Sequence, residues 1–222
     1  MIKCTNLAFA FDDHLIFSEV NLTIQKGEFV YIVGETGCGK TTLMRLIYMD
    51  LAPTSGVVKI DAFSSISVKR RSLYQLRRKL GIIFQDYKLL DDRSVFDNIT
   101  FALQAVGYSS RDMKMQATQA LTQVGLIHRK NSPISELSGG EQQRLSIARA
   151  IAKDPIAILA DEPTGNLDPA TSADILTLLK KINLGGTTVL LATHNYELIR
   201  KFPARTIMIK NYKCEELDPF TL

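Results

Sequence analysis

Residues 29–41, Phe29-Val30-Tyr31-Ile32-Val33-Gly34-Glu35-Thr36-Gly37-Cys38-Gly39-Lys40-Thr41, decide the fold. The first five residues are an apolar run rich in aromatic and β-branched side chains, which is typical of a buried strand. The last eight match the pattern G-x-x-x-x-G-K-[ST], and residues Lys40 to Tyr48 have helical spacing. A strand that continues through such a loop into a helix predicts an α/β fold built around a phosphate-binding loop.

The chemistry of this loop indicates a nucleoside triphosphate. Glycines let successive backbone N–H groups face inward, and the helix N-terminus adds partial positive charge. We expect Lys40 to reach the β- and γ-phosphates of the nucleotide and the Thr41 hydroxyl to coordinate Mg²⁺. A chance glycine-rich turn before a helix is the alternative. The predicted nucleotide-binding residues here are Gly34, Glu35, Thr36, Gly37, Cys38, Gly39, Lys40, Thr41 and Thr42.

A second apolar run, Ile156 to Ala160, ends in the acidic pair Asp161-Glu162. A strand end places the first carboxylate near the metal and the second near the γ-phosphate. We therefore expect Asp161 to hold Mg²⁺ through water and Glu162 to act as the general base on the attacking water. The alternative is a pair of surface acids that follow a buried strand by chance.

Strand-type and helix-type segments alternate along most of the chain, which predicts a mixed, mostly parallel sheet. The segments that read as buried strands are Phe29–Val33, Leu80–Phe84, Ile156–Ala160, Thr188–Ala192 and Thr206–Ile209. Ile2–Phe11, Val20–Ile24 and Gly56–Ile60 favour an N-terminal antiparallel layer. From Ser94 to Ala152 helical spacing dominates, with Ser109 and Asp112 as a capping box and Gly125 as a helix end. We interpret this middle part as a helical insertion.

A second anion-binding device follows within the insertion. Leu137-Ser138-Gly139-Gly140-Glu141-Gln142-Gln143 precedes a helix-patterned run from Arg144 to Ala152, so its serine and glycines stand at a helix N-terminus. A chain that already owns one phosphate site needs a second only if it serves another copy. This segment resembles the signature of the ATP-binding cassette (ABC) family, and the resemblance covers nearly the whole chain.

The resemblance implies a single ABC ATPase domain over residues 1–222 and a head-to-tail homodimer that sandwiches two ATP molecules. Residues 1–86 and 155–222 would form a RecA-like P-loop NTPase core with its antiparallel layer, and residues 87–154 the helical subdomain. Ser138, Gly139 and Gly140 would contact the γ-phosphate held by the opposite subunit. Other implied roles are a metal and water ligand at Gln85, an intersubunit loop at Asp168, a γ-phosphate contact at His194 and adenine stacking at Phe11. The match at Phe11 is weaker, because the family usually has Tyr there.

The catalytic set implied in this way is Glu162, His194, Gln85 and Lys40, and the metal set is Thr41, Gln85 and Asp161. Cys38 departs from the Ser, Ala or Gly common at its position. Its place at a helix N-terminus beside Lys40 predicts a lowered thiol pKa, and we expect alkylation of Cys38 to block ATP binding. The alternative is that Cys38 simply replaces another small residue.

Residues 86–99, Asp86-Tyr87-Lys88-Leu89-Leu90-Asp91-Asp92-Arg93-Ser94-Val95-Phe96-Asp97-Asn98-Ile99, are similar to the corresponding segment of the FtsE family of cell-division ATPases. That resemblance implies an FtsX-like integral membrane partner, through which ATP cycling controls cell-wall hydrolysis. ATPases of lipoprotein-release or macrolide-exporter transporters are the main alternative, followed by importer ATPases. Soluble ABC proteins of DNA repair, chromosome structure or translation fit less well, because the chain has neither a long coiled coil nor a second cassette. A non-hydrolysing scaffold is disfavoured by Glu162 and His194.

Composition limits the possible partners and the cellular location of the protein. The 222 residues carry a mild net charge of +4, with Lys and Arg spread out, so we expect no nucleic-acid partner. The basic residues 69–71 and 77–79 suit a solvated face or, alternatively, a contact with anionic lipid. Three cysteines without paired spacing suit a reducing compartment, and apolar runs far below the ~20 residues of a membrane span predict a cytoplasmic protein. The FtsE resemblance implies a peripheral location on the cytoplasmic face of the inner membrane. A pocket for a partner helix is expected near Tyr87, Leu89, Leu90 and Phe96, unless these side chains simply pack the insertion onto the core.

Overall fold

A computed structural model of the chain describes residues 2–219, apart from the side chain of Arg70. Ten strands and seven α-helices alternate along it. The strands are β1 (Ile2–Phe11), β2 (His14–Ile24), β3 (Phe29–Val33), β4 (Ser55–Ile60), β5 (Phe63–Ser64), β6 (Leu80–Ile83), β7 (Ala157–Asp161), β8 (Thr188–Ala192), β9 (Arg205–Lys210) and β10 (Lys213–Leu217). The helices are α1 (Lys40–Ile47), α2 (Arg70–Arg78), α3 (Val95–Ala105), α4 (Ser110–Gln123), α5 (Gly139–Ile151), α6 (Pro169–Leu184) and α7 (Tyr196–Lys201). Within residues 2–219 no helix combines the length and apolar character that a membrane crossing needs.

The strands form two sheets, as the sequence predicts. The larger sheet has the order β10-β9-β3-β8-β7-β6, in which β9, β3, β8, β7 and β6 are parallel neighbours and β10 is an antiparallel edge. The smaller sheet is antiparallel, with the order β2-β1-β4-β5. This arrangement confirms the predicted α/β class with a mixed, mostly parallel sheet and an N-terminal antiparallel layer.

The core has two parts, on opposite faces of the larger sheet. Successive side chains of a strand point to opposite faces, and β3 shows this directly. Tyr31 and Val33 pack with the helices α3 to α6, whereas Val30 and Ile32 pack with α1 and the antiparallel sheet. Since β3 is buried on both faces, an unbroken apolar run precedes the loop at its end.

The middle of the chain is helical, as predicted. Ser109 is the N-cap of α4 and accepts a hydrogen bond from the Asp112 N–H, and Gly125 follows the helix with a left-handed φ of 77°. The helices α3, α4 and α5 pack on the parallel sheet through one continuous apolar cluster. An isolated bridge between Ser94 and Pro133 ties the start of α3 to the segment before α5.

Several boundaries differ from the predictions. Strand β2 begins at His14 rather than Val20, because the turn after Phe11 lets the whole segment pair with β1. Helix α5 begins at Gly139 rather than Arg144, because Ser138 caps it in a reciprocal capping box with Glu141. The sequence reading missed α2, β5, α6, α7 and β10. Strand β10 ends at Leu217, and residues 220–222 lie outside the described part of the chain.

Candidate nucleotide-binding site

The predicted site residues follow four neighbouring parallel strands. The phosphate loop follows β3, His194 follows β8, Asp161 and Glu162 end β7, and Gln85 follows β6. The carboxyl ends of parallel strands meet at one edge of a sheet, where ligands bind in open α/β folds. The register aligns these ends, since Ile32 and Asp161 both lie opposite Ala192. Segments far apart in sequence therefore face one cavity.

That cavity has a volume of about 280 Å³. The residues that line it all belong to the predicted site: Thr36, Gly37, Gly39, Lys40, Thr41, Thr42, Gln85, Glu162 and His194. Gly39 caps α1 with a φ of 108°, and a Cβ there would come within 2.8 Å of Ile16 Cγ2 and Phe17 Cζ. Only glycine suits this position, so the tight packing of β2 against the loop explains the glycine before Lys40.

Lys40 is a buried cation held by its own loop. Its Nζ donates to the backbone oxygens of Gly34, at 2.9 Å, and Glu35, at 3.2 Å, and lies 3.7 Å from Glu162 Oε1. A buried ammonium group is costly unless it is paired and hydrogen-bonded. These contacts hold the positive charge at the floor of the cavity, where the β- and γ-phosphates of a nucleotide can replace the carbonyl partners.

The acidic pair contains two polar atoms without partners. Asp161 Oδ1 and Glu162 Oε2 are buried and have no hydrogen-bond partner among the described residues. Burial raises the pKa of Asp161, while a hydrogen bond with the Thr41 side chain acts in the opposite direction. Two orphaned carboxylate oxygens beside a threonine hydroxyl form a donor set suited to Mg²⁺ and its water, so the residues present fit the predicted metal.

Glu162 and His194 contact each other directly. The His194 Nδ1 lies 2.9 Å from Glu162 Oε1. This contact uses Nδ1, so Nε2 is the ring nitrogen that can face a ligand. Glu162 is only 11% exposed at its side chain and His194 is 59% exposed, so the histidine can swing outward while the carboxylate stays fixed.

The signature segment lies around a different cavity, of about 360 Å³. Ser138, Gly139, Gly140 and Asp168 line it, and it shares no lining residue with the phosphate cavity. The Ser138 Oγ accepts from the Glu141 N–H, so its hydroxyl proton is not used by the cap. Asp168 is the N-cap of α6 and accepts from the N–H groups of Ala170 and Thr171, which gives it a structural role within the chain.

Phe11 and Cys38 belong to the predicted site but do not line the phosphate cavity. Phe11 is 43% exposed at the end of β1, packed edge-to-face on Phe9 at 4.8 Å between centroids. The sequence analysis predicted a lowered pKa for the Cys38 thiol, and this prediction was wrong. Burial raises the pKa of Cys38, and this outweighs the lowering effect of the Lys40 charge and of the loop N–H groups.

A basic groove opens between α2, α3, α5 and β6, where the sequence reading marked the basic residues 77–79 but not the groove. Its cationic side chains are Arg77, Arg78, Lys88, Arg149 and Lys153, spread over two adjoining cavities of about 840 and 320 Å³. Arg77 and Lys88 are paired with Asp50 and Asp86, whereas the ion pairs of the described part of the chain include none to Arg149 or Lys153. Burial, and then the charge of Arg149, lower the pKa of Lys153 to about 8.

Arg149 joins the groove to the site. Its guanidinium donates to the backbone oxygens of Tyr87 and Lys88, two residues with left-handed φ values of 58° and 49° just after Gln85. Helix α5, which starts at the signature, therefore holds the loop that carries Gln85. Leu89 and Phe96 pack against the core and do not line the groove, which favours the packing alternative for these two side chains.

Known proteins resemble the chain over most of its length. A family model described as ABC transporter matches residues 17–165. The cell division ATP-binding protein FtsE of Streptococcus pneumoniae serotype 2 is 45% identical over 192 residues, 86% of this chain and 84% of that protein. FtsE of Escherichia coli strain K12 is 43% identical over 193 residues, 86% of each chain. The dimeric post-hydrolysis structure of the ATP-binding cassette MJ0796, bound to ADP and phosphate, matches with a TM-score of 0.87 and 33% identity over 99% of both chains.

Proposed function

The chain belongs to the ABC transporter family of ATP-binding subunits and is an ATPase, and from this premise we propose that it drives an FtsEX-like membrane complex in cell division. The observation that carries the proposal is the 43–45% identity to cell-division FtsE proteins from Gram-positive, mycobacterial and enterobacterial organisms. In such a complex an FtsX-like membrane subunit receives the conformational change and controls cell-wall hydrolysis.

Hydrolysis depends on charge placed around the γ-phosphate. Lys40 exchanges its loop carbonyls for the β- and γ-phosphates, and the loop N–H groups hold the same oxygens. Thr41, Gln85 and, through water, Asp161 would hold Mg²⁺, which neutralises phosphate charge when bound. Glu162 takes a proton from the water that attacks phosphorus as the bond to the ADP oxygen breaks, and His194 contacts the γ-phosphate.

The volume of the cavity supports a site for the triphosphate part of ATP alone. At about 280 Å³ it lies at the lower end of ligand pockets, so it suits the triphosphate and leaves the adenine at the surface. Stacking of the base on the exposed ring of Phe11 would supply the remaining contact. The γ-phosphate is left open on the side that faces away from the loop.

A second copy would close that open side. The signature cavity is separate from the phosphate cavity of the same chain, and Ser138 keeps a hydroxyl proton for a phosphate oxygen at the N-terminus of α5. A head-to-tail homodimer would join the two cavities twice. ATP then stabilises the closed dimer through contacts made only in that state, and hydrolysis removes them.

The basic groove is the proposed docking site for the membrane partner. Arg149 and Lys153 are half-buried cations that make no ion pair with a carboxylate among the described residues, so an acidic ligand would supply the missing counter-charge. A short amphipathic helix with one or two carboxylates would match both the groove and its apolar lining of Leu73, Ala102 and Val106. Arg149 would pass a shift of this helix to Gln85 through the carbonyls of Tyr87 and Lys88.

Co-expression with the membrane protein encoded in the neighbouring reading frame tests the proposal. An FtsX-like protein with four spans is expected to co-purify with the chain and to raise its phosphate release. Co-purification of a lipoprotein-release permease instead would favour the alternative transporter function.

A charge reversal tests the docking site. The double substitution Arg78→Glu and Lys153→Glu is expected to abolish co-purification while nucleotide binding by the isolated subunit stays unchanged. Lys114→Glu, an exposed residue of α4 outside the groove, is the matched control. Retained co-purification of the double variant would contradict docking in this groove.

A further inference from the structure

All three cysteines of the chain pack on one apolar cluster, although they are far apart in the sequence. Cys4 is a buried member of the cluster, and Cys38 and Cys214 pack against it with their side chains partly exposed. Burial, and then the charge of Cys38, raise the pKa of Cys214 to about 12, and burial followed by the charge of Cys214 does the same for Cys4. All three thiols therefore lie on the same face of the larger sheet, against this cluster.

The position of Cys38 in the phosphate loop brings its sulfur to β9. A Cβ on Gly34 would lie 2.6 Å from the Cys38 Sγ and 2.8 Å from the Ile209 backbone oxygen, so the sulfur and this carbonyl flank the same small space. Cys214 is directly opposite Ile209 in the β9–β10 ladder. Opposite residues of an antiparallel pair point to the same face with Cβ atoms about 4.5–5.5 Å apart. Cys214 therefore presents its thiol on the side where Cys38 lies.

Cys38 and Cys214 are also the two thiols that a reagent in solution can reach, and they lie on segments that can shift. Cys38 lines a surface cavity of about 260 Å³ and stands between Gly37 and Gly39, whose φ values are 83° and 108°. Cys214 lies on the edge strand β10. Cys4 is 2% exposed on β1, which is held between β2 and β4. A disulfide is therefore favoured between Cys38 in the loop and Cys214 on the edge strand, rather than with Cys4 on the inner strand.

We propose that Cys38 and Cys214 form a redox-sensitive pair whose disulfide switches off the phosphate loop. The oxidant is a low-molecular-weight disulfide. The Cys38 thiolate attacks one of its sulfurs, the small S–S bond breaks, and one small thiolate leaves. The Cys214 thiolate then attacks the Cys38 sulfur and releases the second small thiolate. The two protein thiols are oxidised, the small disulfide is reduced to two thiols, and the protons of the protein thiols pass to them.

The bond would act on nucleotide binding through the loop backbone. Both thiols are free in the structure, and a disulfide needs a specific short geometry, so its formation draws Cys38 toward β10. The neighbouring N–H groups and Lys40, two residues further on, move with it. A triphosphate held by these same groups fixes the loop, so ATP and the disulfide exclude each other.

Oxidation of the purified full chain with oxidised glutathione tests the proposal. Free thiols are then blocked with N-ethylmaleimide, and unreduced peptides are identified by mass spectrometry. Affinity for a fluorescent ATP analogue is measured in parallel. We expect a Cys38–Cys214 linked peptide as the main product, a loss of affinity of about tenfold or more, and recovery of both on reduction. Mg-ATP added before the oxidant should slow the linkage.

Two variants distinguish the pair from general thiol damage. Cys4→Ala should still form the linked peptide, whereas Cys214→Ala should bind nucleotide normally when reduced and form no internal disulfide. A main product that joins Cys4 to Cys214, glutathione adducts without a link, or a linked protein with unchanged nucleotide affinity would each overturn the proposal. The reduced protein serves as the reference, so a failure here leaves the ATPase assignment untouched.

Discussion

Glu162 follows strand β7 in a strained backbone conformation. Its φ of 47° lies in the left-handed region, which costs a non-glycine residue about 1–2 kcal/mol. The strand ends at Asp161, and the Glu162 N–H still donates to the Ala192 carbonyl at 3.0 Å. The left-handed turn at that point directs the side chain to Lys40 and His194. Strain kept at such a position is typical of a functional residue.

Substituting Glu162→Gln should separate binding from hydrolysis. The amide keeps the shape of the side chain but cannot take the proton, so phosphate release should fall by about 10²–10⁴-fold. ATP should then be trapped, and gel filtration should show a doubled apparent mass with Mg-ATP but not without it. Glu215→Gln, an exposed carboxylate on β10, is the control. A variant that stays monomeric with bound ATP would argue against closure by nucleotide.

Alkylation of Cys38 should block ATP binding, but slowly. Burial raises the pKa of the thiol, so little thiolate is present at neutral pH and the rate should increase as the pH is raised. Mg-ATP should protect the residue because it occupies the same loop. Labelling with N-ethylmaleimide, followed by peptide mass spectrometry, gives the rates. Equal rates with and without Mg-ATP would contradict shared occupancy, and Cys214→Ala shows that the effect does not need the second thiol.

At the scale of elements, apolar strands were predictable and polar ones were not. The parallel strands β3, β7 and β8 are nearly continuous apolar runs because both faces of the sheet are covered, one by helices and the other by α1 and the antiparallel sheet. Their positions agree with the sequence reading to within one residue. Strand β10 was missed because it is a charged edge strand, with Glu215 and Glu216 exposed. Helix α2 was missed because it is strongly basic and carries few apolar side chains.

The same distinction applies to the site. Every residue that lines the phosphate cavity stands in a local motif or at a strand end, so the sequence could identify it. Arg149 and Lys153 come from the last turn of α5 and beyond, and they meet backbone carbonyls of residues more than 60 positions away. Nothing local marks such residues, since packing alone brings the partners together. The sequence did not predict the raised pKa of Cys38 for the same reason, because the burial that raises it results from packing.

Arg149→Met tests whether α5 communicates with the loop that carries Gln85. The change leaves the carbonyls of Tyr87 and Lys88 without their donor, which should lower the free energy of unfolding by about 1–3 kcal/mol. ATP affinity should be nearly unchanged, while stimulation of phosphate release by the membrane partner should be lost. Thermal unfolding and ATPase rates with and without the partner measure the two effects. Arg111→Met, on the exposed side of α4, controls for loss of charge, and full stimulation in Arg149→Met would contradict the link.

At the scale of the assembly, the groove should make docking depend on pH. Burial, and then the neighbouring Arg149, lower the pKa of Lys153 to about 8, so the free subunit loses this cation as the pH rises through that value. An acidic partner binds the protonated form, so affinity should fall between about pH 7 and about pH 9. Lys153→Arg should remove the dependence, because guanidinium stays charged. Measuring the affinity for the partner across this pH range tests the prediction. A wild-type affinity that does not change with pH would exclude Lys153 from docking.

Because each proposed ATP site combines residues of two copies, mixing two inactive variants should restore part of the activity. We call the phosphate loop the cradle, and the signature segment supplied to the other copy the lid. Lys40→Ala disables the cradle and Ser138→Arg disables the lid, so each homodimer should be inactive. In a mixed dimer the cradle of the Ser138→Arg chain meets the lid of the Lys40→Ala chain, which restores one complete site. With random pairing half of the dimers are mixed, so an equimolar mixture should recover about a quarter of wild-type phosphate release. If each chain instead closed its own lid over its own cradle, neither variant would contain a complete site, and the mixture would be as inactive as its components.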